Sequence, residues 1–428
     1  MTAGEDMHRF IAEAYPICRS ITGDGVRRTL GMLRERIPIE VHEVPSGTPV
    51  FDWTVPREWN IRDAWIADPA GRKVVDFQTC NLHVLNYSVP VHERLPLSAL
   101  KKHLFTLPDK PDLIPYRTSY YREAWGFCLS HDQLQALPEG EYEAFIDSTL
   151  ADGSLTYGEL FLPGESDREI LLSTHVCHPS LCNDNLSGIA VMTWLAREMQ
   201  ARPRRYSYRF LFIPGTIGSI TWLARNEERA GRIVHGLVAA NLGDPGTFHY
   251  KKSRQGDAEI DRAVLAVLKA YGEPFGVEDF VPFGYDERQY SSPGFNLAVG
   301  SLTRTPYGRY PQYHTSADNL DFVRPEALEG SLRTYLAVMN VLEGNRRYLN
   351  LNPKCEPQLG RRGLYRTIGG DETGRARELA LLWVLNLSDG HHTLLDVAER
   401  SGMSFAAIRE AADALLEVGL LREMEERE

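Results

Sequence analysis

The stretch His175 to Gly188, HVCHPSLCNDNLSG, carries two histidines and a carboxylate in a short, turn-rich run. Neutral imidazole and carboxylate are the ligands zinc takes when one coordination position must stay open for water. The stretch follows the apolar run ILLST, and its Ser187-Gly188 opens a helical pattern. A strand end followed closely by His175, His178 and Asp184 sets these groups on one rim. A polar loop capping a helix through Asp184 or Asn185 is the plainer alternative. Two histidines beside the cap favour a metal.

Three further groups fall near expected strand ends. Asp244 follows IVHGLVAANLG, where a lone Asp-Pro is usually a turn. Asp286, Glu287 and Arg288 precede PGFNLAVG, although such charged triplets are often solvated surface. His314 lies in YHTSADN, ahead of a long helical pattern. Each is weak alone, but together they converge on one edge of one sheet.

That sheet is legible between about 156 and 345. REILLSTH, YRFLFIP, IVHGLVAANL and FNLAVGS read as buried strands. SGIAVMTWLAREMQ, DAEIDRAVLAVLKAYG and RPEALEGSLRTYLAVMNVLEGN read as helices. Alternation of this kind predicts an α/β fold, a largely parallel sheet with helices on both faces. Ligands of such sheets bind at the carboxyl ends of the strands.

Residues 4 to 36 also read as helical, with a break at Thr22 to Gly25. From 46 to 155, prolines punctuate short β-rich runs such as HVLNYSV and EAFIDSTL, which predicts a β-rich module with long loops. Within it, PYRTSYYREAWGF, with Tyr120, is a candidate substrate wall. Residues 346 to 372 read as a polar linker. The tail, assigned to 360–428, has the helix pattern of a winged helix. Its acidic residues outnumber its arginines and it has no lysine after position 372, so it is expected to pack on protein rather than grip phosphates.

The 428 residues suit two or three domains, and hydrophobic (43%) and charged (25%) fractions are those of an ordinary globular protein. A net charge of -11 argues against a nucleic-acid partner. Six scattered cysteines without CxxC, a polar N-terminus and the lack of a long apolar window predict a reduced, cytoplasmic protein with no membrane partner. Homo-oligomer formation is left open.

Taken in order, His, Asp in a DNxSG setting, Asp after a strand, an acidic pair before PGF and a final YHTxxD resemble the zinc aminopeptidase and glutaminyl cyclase superfamily. More closely, CRSITGDGVRRTL, IPYRTSYYREAWGFC, CHPSLCNDNLSG, TIGSI, DERQYSSPGFNL and YHTSADNL resemble bacterial aminopeptidase-like proteins with an inserted domain of unknown function and a C-terminal winged helix. The resemblance implies a zinc-exopeptidase-like mixed sheet. It divides the chain into a discontinuous catalytic domain (1–45 and 156–345), an inserted lid (46–155) and the winged helix. It implies His175 or His178, Asp184, Asp244 and His314 as ligands of zinc, one ion with a second left open. Asp286 and Glu287 would line the substrate side.

One departure stands out. The superfamily has a Glu pair after the strand matching YRFLFIP, and the nearer family a Glu directly before TIGSI. Here that position is Gly215. The loss removes a ligand and a base, favours a single metal, and leaves Glu287 as the expected base. Arg288, Arg304 and Arg309 are candidate clamps for an anionic substrate group, with surface ion pairs the alternative. The expected reaction is hydrolysis of an amide in a dipeptide, aminoacyl amide or small N-acyl compound. The alternatives are a tailoring amidohydrolase or acyltransferase in biosynthesis, and a silent relative acting as a binding protein.

Overall fold

The computed structural model describes residues 2–364 and 372–424. They fall into two compact units, Met1–Gly256 with Phe275–Arg333, and Asp257–Pro274 with Thr334–Glu428.

An eight-stranded sheet forms the first unit. Across it run Glu40–Pro45, Ser154–Leu162, Ser207–Ile213, Glu169–His175, Ile233–Ala239, Val299–Thr303, His249–Lys251 and Gly276–Glu278. The middle strands, from Ser207–Ile213 to Val299–Thr303, pair in parallel, and antiparallel partners flank them. Every residue of Glu169–His175 and Ser207–Ile213 is buried, as parallel strands covered on both faces require. The register pairs His175 with Ile213, so the chain leaves both strands at one rim.

The predicted strand over FNLAVGS lies later, at Val299–Thr303, because Phe295 to Leu297 belong to a turn that hydrogen-bonds back to Ser292 and Tyr290. The N-terminal helical stretch divides into Ala3–Ala14 and Asp24–Arg34 around the expected break.

One charge sits inside this apolar sheet. Arg209, 2% exposed, donates Nε and Nη2 to Glu169 at 2.6 and 2.8 Å and pairs with Glu159 on the other side. Three neighbouring strands thus share one network, a guanidinium between two carboxylates.

Between residues 46 and 155 lies an antiparallel sheet of four strands, in the order Lys73–Asp76, Glu58–Ala67, Glu141–Ala151, Val91–Pro96. EAFIDSTL falls within the third of these. HVLNYSV does not form a strand. It is a buried connection whose Tyr87 has a positive φ of 76° and whose amides bond to Gly126 and Arg117.

The second unit contains a winged helix. The helices Glu372–Leu387, Leu394–Ser401 and Phe405–Glu417 accompany a three-stranded sheet ordered Asp389–Thr393, Arg347–Asn350, Leu421–Glu423. The predicted linker at 346–372 is therefore corrected in its first residues, since Arg347–Asn350 is the central strand of that sheet. Residues 365–371 of it lie outside the described residues. The expected long last helix stops at Glu417, where Gly419, with φ of 66°, turns the chain into the last strand. Among the described residues, no helix is long and apolar enough to cross a membrane.

Removing Arg209 would strand two buried carboxylates. Arg209→Met is expected to cost about 3–5 kcal/mol, read from the shift of the urea midpoint. The triple change with Glu159→Leu and Glu169→Leu should recover most of that loss.

Candidate metal centre

At the carboxyl end of Glu169–His175 the chain enters a loop and then the helix Gly188–Gln200. Three ligating atoms, from His175, His178 and Asp184, lie within 4.8 Å of one another, and all three residues are buried. Asp184 is the hub. Its Oδ1 is 2.8 Å from His175 Nε2, and its Oδ2 is 3.0 Å from His314 Nε2 and 3.8 Å from His178 Nε2. A donor set of imidazoles around one buried carboxylate, with His314 left partly open to solvent, fits a borderline divalent cation such as zinc. Both His175 and His178, the two alternatives for the first ligand, belong to the cluster.

The electrostatics agree with that chemistry. Burial opposes charge on Asp184, but the surrounding imidazoles more than offset it and hold its carboxyl well below the usual range. Burial pushes His178 well below its ordinary value, so it stays neutral with a lone pair free. Asp318 accepts hydrogen bonds from the amides of Asn183 and Asp184 at 2.6 and 3.0 Å, and its own carboxyl is pushed up to about 8, chiefly by burial. Two neighbouring carboxyl groups thereby differ, with the charge kept on Asp184.

The loop is fixed from several elements. Arg19, 1% exposed, donates to the carbonyls of His178, Pro179 and Ala14 at 2.7 to 2.8 Å. His314 sits in the left-handed region, φ 53°, where a non-glycine residue is strained unless its surroundings impose it. Tyr116 imposes it, because its amide donates to the His314 carbonyl at 2.8 Å. The segment Ile114 to Tyr116 from the inserted stretch thus pairs with the His314 loop, through Pro115 and Thr315 as well.

Tyrosines wall the cluster. The ring of Tyr285 lies 4.1 Å from that of His175, Tyr313 stacks on His314 at 3.9 Å, and Tyr116 touches the rings of His178 and His314. Tyr307 stacks on Tyr285. Tyr116 belongs to PYRTSYYREAWGF, the segment read as a substrate wall, while Tyr285, Tyr307 and Tyr313 were not singled out in the sequence. The YHT and GYDE settings hold two of them beside chosen residues, and that adjacency was the available signal. Tyr120, which was chosen, bonds to the Tyr116 hydroxyl at 2.9 Å and stands one residue further back.

Gly215 explains its own identity here. A Cβ at this position would lie 2.0 Å from Tyr285 Cε1. The tyrosine ring occupies the room where a side chain at 215 would project.

Other candidates take different places. Asp244 is buried but spent. Its carboxylate accepts from Thr305 Oγ1 at 2.6 Å, Gly246 N at 2.8 Å and Asn183 Nδ2 at 3.0 Å. It braces the loop behind Asp184, and it is not among the ligating groups that cluster with His175 and His178. Arg304 donates to Ser331 and Gly246 and stacks on Phe248, so it is a packing residue. Arg309 pairs with Glu278. Arg288 keeps a shielded Nε without a partner.

The acidic pair divides its roles. Glu287 accepts from the Tyr285 amide at 3.1 Å and is paired with Lys251. Asp286, 0% exposed, accepts from Ser219 through Oδ1 at 2.8 Å, while its Oδ2 has no partner. Burial pushes its carboxyl up to about 7, and its charge acts on Cys177, Tyr285 and Tyr307. Glu287, expected as the proton acceptor, has partners on its carboxylate, whereas Asp286 keeps one oxygen without any.

Comparison with known proteins follows this geometry. Residues 8–345 match the family model of a domain of unknown function, DUF4910, and residues 346–423 match a winged helix-turn-helix. A Clostridium acetobutylicum protein, named for polysaccharide biosynthesis and an aminopeptidase-like domain, is 55% identical over 419 residues, 98% of this chain and 96% of its own. The crystal structure of a protein from that organism, described as a peptidase, is 54% identical, with a TM-score of 0.94 over 98% of this chain and 96% of its own. A zinc aminopeptidase from Bacillus subtilis shares the fold at 12% identity, with a TM-score of 0.58 over 79% of this chain and 95% of its own.

Three measurements check these placements. Asp184→Ala should abolish zinc retention in elemental analysis. Asp244→Ala should retain zinc and lose about 1–3 kcal/mol of stability from donors left unpaired. Gly215→Ala should cost about 1–3 kcal/mol by overpacking, and Tyr285→Ala in the same chain should relieve it. Asp286 offers a test without substrate. Its folded pKa of about 7 exceeds the ordinary 3.8, so between those values the folded state holds a proton that the unfolded state has lost. Stability therefore falls as pH rises through that window, and Asp286→Asn should flatten the fall.

Proposed function

Because this chain belongs to the DUF4910 family and has an aminopeptidase-like fold, we propose that it is a metal-dependent hydrolase of an amide bond in a small substrate. The observation that carries this reading is the buried cluster of His175, His178 and Asp184 at the carboxyl end of a parallel strand, with the half-buried His314 reaching the same carboxylate. These four residues would hold the metal, with Asp184 reaching two of the imidazoles through different oxygens. A zinc ion there supplies Lewis acidity toward a carbonyl oxygen and toward a water molecule.

The chain's own groups supply the rest. Asp286 takes the proton from water, since its unpartnered oxygen and its pKa near neutrality suit a general base. The walls of Tyr116, Tyr285, Tyr307 and Tyr313 exclude bulk water, which strengthens every charge interaction inside. The segment 114–116 ties the inserted module to the His314 loop and limits access to small substrates. Arg288, with its unpaired Nε, is the arginine left to meet a substrate oxygen.

The Clostridium acetobutylicum relative's name joins an aminopeptidase-like domain to polysaccharide biosynthesis. That favours a tailoring amidohydrolase in a biosynthetic route over a peptide-degrading enzyme. The filling of the Gly215 position by Tyr285 supports one metal rather than two.

Purified protein is expected to carry about one zinc per chain and to release an acyl group from N-acyl compounds. The rate should rise with pH through about 7, and Asp286→Asn should lower it about 10²–10⁴-fold and remove that limb. Protein that holds zinc but turns over neither N-acyl sugars nor aminoacyl amides would identify a binding protein instead.

A further inference from the structure

Beside the metal cluster, separated from it by Tyr307, lies a cleft of about 220 Å³. Strands His249–Lys251 and Val299–Thr303 form its floor, and the loop carrying Val281 to Glu287 forms one side. Tyr307 belongs to both places. Its ring lies 6.5 Å from that of His175, and it lines the cleft.

The charges in this cleft are already balanced. Glu287 pairs with Lys251, which also donates to the Phe283 carbonyl at 2.6 Å, and Arg309 pairs with Glu278. A charged ligand would have to break one of these pairs. An uncharged ligand rich in hydroxyls would not, because a guanidinium has five donors and a carboxylate about four acceptor sites, so paired groups keep capacity to spare. Ser301 and Thr303 extend the polar lining.

Two further features point the same way. The Tyr307 hydroxyl is shielded from water and has no partner, a cost that a ligand's polar atom would remove. At the mouth, Phe283 is 79% exposed and Val281 48%. These side chains form an apolar rim above a polar floor, the complement of a sugar ring with its C–H face and its hydroxyl edge. An apolar amino-acid side chain would meet the opposite arrangement.

We propose that this cleft seats the ring of an uncharged sugar bearing an acylated amino group, with the amide reaching past Tyr307 to the histidine cluster. This rests on the hydrolase reading above. In that reaction water forms a new C–O bond and the C–N bond breaks. The acyl group leaves as a carboxylate and the sugar as an ammonium, with no change of oxidation state.

The experiment is calorimetric titration of the full chain with methyl N-acetylglucosaminide, using leucinamide as the rival probe. Wild type should bind the sugar, and Phe283→Ala and Tyr307→Phe should each weaken it about tenfold or more. Phe283 is exposed, so its variant should fold. The Asp184→Ala protein should still bind the sugar, because the cleft holds no ligand of the metal. Sugar bound by that variant but not hydrolysed by zinc-loaded wild type would sink the hydrolase reading and leave the sugar site standing. The proposal fails if the sugar does not bind, if both cleft variants bind it as wild type does, or if leucinamide alone binds and Phe283→Ala weakens it.

Discussion

The site depends on holding one charge, the Asp184 carboxylate, where water does not reach. A buried carboxylate is costly unless other groups compensate it. Here the compensation comes from two places in the chain, since His175 and His314 bond to its two oxygens. Asp318 then fixes the backbone that carries it. The strand ends, the inserted segment and the last loop must meet, or the charge has no partners.

The same requirement explains why so much of the surrounding structure is spent on positioning. Arg19 devotes a buried guanidinium to three carbonyls around the CHP turn. Asp244 ties Asn183 to Thr305. Tyr116 holds His314 in a strained backbone conformation. None of these touches another charge of opposite sign. Their work is geometric, and it lets a small set of imidazoles converge on one carboxylate to within ligand distances.

Much of this was legible in the sequence. Fully apolar strands announced a parallel sheet, and the rule that such sheets bind ligands at their carboxyl ends selected His175, His178, Asp184 and His314. What the sequence hid has common causes. Asp244 and Arg304 have the right type and place, but hydrogen bonds to Thr305, Gly246 and Ser331 consume them, and such bonds leave no mark on spacing. The difference between Asp286 and Glu287 lies in one partner, Lys251, which arrives from a different strand. The strand Arg347–Asn350 was lost in a polar stretch because its pairing partners lie about 40 and 70 residues onward. The tyrosine wall was hidden because aromatic residues serve cores more often than sites.

The glycine at 215 and the tyrosine at 285 are best understood together. A side chain at 215 and the ring of Tyr285 cannot occupy the same volume, so the glycine there and the aromatic wall on His175 go together. That pairing also determines where a base can come from. With the 215 position filled, the unpartnered carboxylate oxygen next in the chain to that ring is Asp286, positioned by Ser219 near the start of the helix that follows Gly215. The loop that supplies Tyr285 and Asp286 continues from the rim of the neighbouring cleft, so wall, base and cleft edge move as one piece of chain. A substitution that shifts this loop would therefore disturb the wall on His175, the Asp286 carboxyl and the cleft edge together.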